Sequence, residues 1–148
     1  MSRIAVLFAA AMLAGCSGGD DGSFTLVTDI AFWRTPYGGT FTVSDASDAL
    51  GCSRGAFVNK PTGGKPPTAI RKVFSCTKGD RRGKFIIRFG PGPLKSKALN
   101  ENETVVTPWR FEGGTGDFSG IEGEGSFSAK YDYNTYSGVE TLTGNVAF

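Results

Sequence analysis

Apolar and polar positions alternate with a period of two from Phe24 onward. Phe24, Leu26, Thr28, Ile30 and Phe32 lie in one phase, with Thr25, Val27, Asp29, Ala31 and Trp33 in the other, which predicts a long half-buried strand. Pro36 to Gly39 supplies a turn, and Thr40 to Val43 alternates again as a short second strand before the polar stretch Ser44 to Asp48. Cys52 to Val58 predicts a third strand, Pro61 to Pro67 an exposed loop, and Ile70 to Cys76 a fourth strand. After the polar turn Lys78 to Gly83, Phe85, Ile87 and Phe89 face one way and Lys84, Ile86 and Arg88 the other. Gly90 to Pro93 ends that strand, and Leu94 to Thr104 is polar, without a clear period, and expected to be a mobile loop. Trp109 and Phe111 alternate with Arg110 and Glu112. Phe127, Ala129, Tyr131 and Tyr133 alternate with Ser126, Ser128, Lys130 and Asp132. A turn over Asp132 to Gly138 leads to a last strand whose inner set is Leu142, Gly144, Val146 and Phe148. About eight strands follow, and pairing the last with the first removes both open edges, so a single closed or nearly closed antiparallel barrel is expected.

Composition points the same way. The chain holds 22 glycines and 12 phenylalanines, with many threonines and little Leu, Met or Ala outside the first fifteen residues, which favours strands and turns and an all-β fold. The densest glycine run, Gly113 to Phe127, matches neither GxGxxG, since position 119 is Ser, nor GxxxxGK[ST], and it lies between two strand patterns rather than opening a helix. Its glycines are expected to serve turns and bends while Phe118, Ile121 and Phe127 pack inward. Over Trp109 to Val146, and most closely at Gly113-Gly114-Thr115-Gly116-Asp117-Phe118-Ser119-Gly120-Ile121-Glu122-Gly123, the chain resembles the allene oxide cyclase and dirigent-like barrels. That resemblance implies an eight-stranded antiparallel barrel. It carries over no catalytic residue, because the glycine run belongs to the scaffold.

The first residues read differently. Arg3 precedes an apolar run from Ile4 to Ala14, too short for a membrane span, and the stretch closes on Leu13-Ala14-Gly15-Cys16. This resembles the signal sequence of a bacterial lipoprotein. The resemblance implies removal of residues 1–15, fatty acylation of Cys16 and attachment to a cell or outer membrane, the domain facing the periplasm or exterior. Residues 16–23 then form a lipidated tether and residues 24–148 one barrel domain. With Cys16 committed to lipid, Cys52 and Cys76 remain as a pair in an oxidising compartment and are expected to form a disulfide. The rival, a catalytic or metal-binding thiol, lacks a histidine, of which the chain has none.

Charge is nearly balanced, 16 Lys and Arg against 14 Asp and Glu, but unevenly placed. Residues 65 to 97 carry ten cations against Asp80 alone, and residues 101 to 140 carry eight acids against Arg110 and Lys130. The two halves are expected to pair across neighbouring strands, the alternative being a basic patch facing anionic headgroups or wall polymer. Candidate chemistry is sparse. Trp33, Trp109, Phe111, Tyr131 and Tyr133 are candidates to line a pocket or fill the core. Glu112, Asp117, Glu122 and Glu124 are expected at the surface. Asp132, Asn134 and Gly138 lack calcium-loop spacing, the match of Asn102 to a glycosylation sequon is taken as accidental, and no G-x-S-x-G occurs. No cofactor, metal or nucleic acid is expected. The function expected is a non-catalytic, lipid-anchored envelope barrel that binds a small apolar ligand or an envelope component. The alternatives are a structural role without ligand and, by fold analogy, an isomerase or cyclase on a lipid-like substrate.

Overall fold

A computed structural model describes residues 22–33, 35–44, 48–62, 69–89 and 105–148. Cys16, the residues before it and the segment Leu94 to Thr104 lie outside the described residues. Eight strands follow in chain order: β1 (Gly22–Ala31), β2 (Gly38–Ser44), β3 (Arg54–Thr62), β4 (Ala69–Lys78), β5 (Gly83–Phe89), β6 (Val105–Gly116), β7 (Glu124–Asp132) and β8 (Ser137–Val146). Each pairs antiparallel with the next and β8 returns to β1, so the sheet closes into a barrel whose strand order is the sequence order. Among the described residues there is no helix. The closing seam runs in unbroken register from Gly22↔Val146 to Ala31↔Ser137.

The expected alternation decides what faces inward. Phe24, Leu26, Thr28 and Ile30 of β1, Phe85, Ile87 and Phe89 of β5, Trp109 and Phe111 of β6, and Leu142 and Val146 of β8 are all buried. Several boundaries differ from the expected ones, most at β3 and β6. Strand β3 starts at Arg54 rather than Cys52 and runs through Pro61, whose partner is Ile70. Proline is tolerated there because it sits one residue from the strand end, where a missing donor costs little. Strand β6 runs on through Gly113 and Gly114 to Gly116, where the glycines suggested that the strand had already ended.

Call the end where β1 begins the base and the opposite end the top. The base is packed with aromatic rings. Phe74 and Phe85 stack at 4.9 Å, Phe41 meets Phe74 edge-on at 5.2 Å, and Phe118 reaches Phe85 at 5.2 Å from the turn after β6. Burying such a side chain contributes about 1.5–3 kcal/mol, and each ring pair about 0.5–1.5 kcal/mol beyond that. Leu50, Cys52, Phe118 and Ile121 are buried and close the base. The glycine run makes this plug possible: a Cβ on Gly114 would lie 2.6 Å from the Lys84 carbonyl oxygen and 2.7 Å from the Phe118 Cβ, so only glycine lets the turn fold back over the barrel mouth. Opposite it, the register pair Gly125↔Gly144 leaves room for the Trp109 indole, which would stand within 2.6 Å of a Cβ at either position.

Cys52 and Cys76 form the expected disulfide, with their Cα atoms 5.9 Å apart. It ties the segment entering β3 to the base end of β4.

Replacing both Cys52 and Cys76 with Ser is expected to lower unfolding stability by roughly 3–4 kcal/mol on the chain-entropy account of a loop of about 25 residues. Urea unfolding with and without reductant measures it, and unchanged midpoints would contradict the assignment. Gly144→Ala is expected to cost about 1–3 kcal/mol through overpacking against Trp109, and Gly144→Ala combined with Trp109→Phe should recover part of that cost.

Candidate functional site

Above the aromatic base the inward phase turns polar. Thr28 on β1, Asn59 on β3, Lys72 on β4 and Glu140 on β8 are buried, each in register with the apolar positions of its own strand, and Tyr131 on β7 is half-buried beside them. In an eight-stranded barrel β4 and β8 are diametrically opposed, so Lys72 and Glu140 reach toward each other across the lumen. Their contact is 2.6 Å between Lys72 Nζ and Glu140 Oε2, with both side chains about 2–3% exposed.

Among the described residues no fully buried side-chain nitrogen or oxygen of this crossbar is left without a partner. Thr28 donates its hydroxyl to Glu140 Oε2 at 2.7 Å and Tyr131 donates its phenol to Oε1 at 2.9 Å. Lys72 also donates to Asn59 Oδ1 at 2.9 Å, and its ammonium stands 4.6 Å from the Phe57 ring centre and 5.8 Å from that of Phe89. Burial lowers the Lys72 pKa from the usual lysine value, and the adjacent Glu140 charge opposes that drop. Burial also pushes the Tyr131 phenol well above its ordinary value, with Glu140 raising it further, so Tyr131 stays a neutral donor.

Tyr131 links this crossbar to the top of the barrel. Phe32, just past β1, makes edge contacts with Tyr37, Tyr131, Tyr133 and Tyr136 at 5.6–6.4 Å between ring centres. Trp33 is 62% exposed, Tyr136 54% and Tyr133 43%, so the β1–β2 and β7–β8 connections form an aromatic collar open to solvent. Tyr136 itself takes φ +51, outside the ordinary range for a side-chain-bearing residue. Beneath the collar, the row Ile30↔Gly138↔Tyr131 lacks a side chain at its centre. There a surface depression of about 480 Å³, lined by Ile30, Tyr131, Asp132, Gly138 and Val139 among others, opens onto the Tyr131 ring. A wider depression of about 1280 Å³ over the base of β7, β8 and β1 is lined mainly by Ser, Thr and Gly with Glu124, and assembles no charged pair.

The structure therefore separates the five aromatic candidates. Trp109 and Phe111 are base core, Tyr131 stands between crossbar and collar, and Trp33 and Tyr133 belong to the exposed collar because they lie beyond the ends of their strands. Glu122 and Glu124 are exposed, as expected of surface acids. Asp132 caps its own turn, accepting from Asn134 N at 2.8 Å and Thr135 N at 3.3 Å, as expected of a polar turn. Among the described residues no cluster of His, Cys, Asp and Glu has the makings of a metal site. Lys72, Glu140 and Asn59 were not singled out from sequence. Their signal was present: Lys72 shares phase with Phe74, Glu140 lies two before Leu142, and Asn59 two after Phe57. No protein-family model, curated protein or solved structure matches the chain.

Lys72→Met is expected to cost about 3–5 kcal/mol, since it leaves the Glu140 carboxylate buried without its counter-charge. Adding Glu140→Leu should make the protein more stable than the single variant. Urea titration of the parent, Lys72→Met, Glu140→Leu and the double variant tests this, and simple additivity of the two single costs would show that the groups do not interact.

Proposed function

We propose that this protein is a lipid-anchored barrel of the bacterial envelope that binds a small molecule with an apolar, planar body and one hydrogen-bonding group at the top of the barrel. The observation that carries this reading is the position of Tyr131, which packs on the collar ring Phe32 at 5.9 Å and holds the Glu140 carboxylate of the crossbar. Exposed Trp33, Tyr133 and Tyr136 supply flat faces for an apolar body, and the depression beside Gly138 borders the Tyr131 ring. Aromatic surface at a polar base is the usual composition of a small-molecule site. The anchoring half of the reading rests on Arg3, the apolar run and Leu13-Ala14-Gly15-Cys16.

The structural alternative draws on the base, where stacked rings fill the barrel and leave the crossbar with its own internal partners. The isomerase alternative has less support. Glu140 is the one buried carboxylate among the described residues, and three donors already occupy it.

Native mass spectrometry of the full-length protein purified from its own host is expected to find a retained small molecule, lost or at least tenfold weaker in Tyr133→Ala and Tyr136→Ala variants. Repeated gentle preparations with nothing bound would favour the structural reading. For the anchor, Cys16→Ser should move the protein from the membrane fraction to the soluble one, and undiminished membrane retention would contradict lipidation.

A further inference from the structure

On the outer wall, the register of four adjacent strands lines up four cations. Lys60 of β3 is the direct partner of Arg71 on β4, Arg71 of Arg88 on β5, and Arg88 of Arg110 on β6. Cross-strand partners stand about 4.5–5.5 Å apart at Cα, so the rung spans roughly 15 Å. Like charges directly opposite each other destabilise a sheet, and here three successive pairs repeat the penalty. The expected pairing of basic and acidic halves accounts for only part of it. Glu112 accepts from Arg71 Nη2 at 2.8 Å and from Arg88 Nη1 at 3.4 Å. Among the described residues neither Lys60 nor Arg110 makes an ion pair, although Glu124, the register partner of Arg110 on β7, ends the row on its other side.

The backbone places Glu112 deliberately between the arginines. Ile87 pairs with Phe111 and Ile86 with Gly113, so Glu112 is the extra residue of a β-bulge, and Gly113 takes φ +111 to close it. The bulge aims the carboxylate sideways at Arg71 and Arg88, and the Arg71 guanidinium in turn holds the Glu112 carboxyl below its usual range. Two guanidiniums are thereby fixed side by side with donors left over. Arg71 keeps Nη1 and Arg88 keeps Nη2, whereas the Arg88 Nε is buried and turned away from any external ligand. Held guanidinium forks match phosphate oxygens and lose little freedom on binding them.

We propose that the rung Lys60–Arg71–Arg88–Arg110 is a binding strip for a flexible linear polyanion whose charges are phosphate groups. The shape of the strip favours such a chain over a bilayer. The rung crosses three of the eight inter-strand steps, more than a third of the way round a convex wall, so a flat surface meets only part of it. A flexible chain follows the curve and meets all four cations. The strip also lies toward the top of β3, β4 and β5, away from the base where β1 begins. It shares no residue with the crossbar or collar, so its failure and that of the ligand reading are separate results.

The test is fluorescence anisotropy of end-labelled long-chain polyphosphate titrated with the full-length protein at several salt concentrations. Four phosphate contacts predict a log–log salt slope of about −3, by the counterion-release relation for flexible single strands. The double variant Lys60→Gln/Arg110→Gln, which leaves the Glu112 clamp intact, is expected to bind at least tenfold more weakly with about half that slope. Lys78→Gln/Lys84→Gln, at the base, should stay within twofold of the parent. Equal losses for rung and base variants, absence of polyphosphate binding at low salt, or rung-dependent binding only to vesicles of phosphatidylglycerol and phosphatidylcholine would each overturn the proposal.

Discussion

The contact between Lys72 and Glu140 joins opposite walls of the barrel through its interior, and the rest of the architecture is arranged around it. Neither residue tolerates burial alone, because an unpaired charge in a low-dielectric interior costs several kcal/mol. Strands β4 and β8 must therefore sit at the register that brings 2.6 Å between the charged atoms. A slip of one residue in either strand would turn its charge outward and leave the other stranded. Thr28, Asn59 and Tyr131 extend the same demand to β1, β3 and β7. Five of the eight strands are thus indexed by one polar cluster, while the aromatic base below it supplies most of the hydrophobic burial.

This division separates two physical tasks along the barrel axis. The base is close-packed rings sealed by the glycine-rich turn, where Gly114, Gly125 and Gly144 give up side chains so that Phe118 and Trp109 fit. Toward the top, the interior trades packing for hydrogen bonds and the rim carries exposed tyrosines. The proposed ligand site lies at the top, where the exposed collar aromatics meet Tyr131. The outer wall adds a third property, the cationic rung, which the bulge at Glu112 organises without disturbing the interior face of β6.

Period-two alternation made the fold legible, since each inward set continues in one phase along its strand and the closed topology follows from strands that cannot end in open edges. Phe118 and Ile121 were legible for the same reason: apolar residues embedded among glycines have nowhere to go but inward. The crossbar was harder to read because Lys and Glu normally mark solvent. Lys72 and Glu140 become visible only when phase is allowed to outrank residue type, as it must in a barrel wide enough to hide two long charged side chains. Asn59 lay one residue beyond Val58, the expected end of its strand, ahead of the stretch from Pro61 expected as a loop. The collar was half legible. Trp33 and Tyr133 were grouped with Trp109 and Phe111 by type, yet whether an aromatic lies within or beyond a strand end depends on where hairpins turn, which alternation does not specify. The rung was invisible without register, because sequence reveals a basic stretch but not which cations face each other.

The most direct measurement is NMR of the Lys72 ammonium in protein labelled with nitrogen-15 at lysine. A crossbar inside a closed barrel predicts slowly exchanging ammonium protons with cross-relaxation to the rings of Phe57 and Phe89 and to the side chains of Thr28 and Tyr131. Exchange at the rate of a solvent-exposed lysine, without those contacts, would contradict the account.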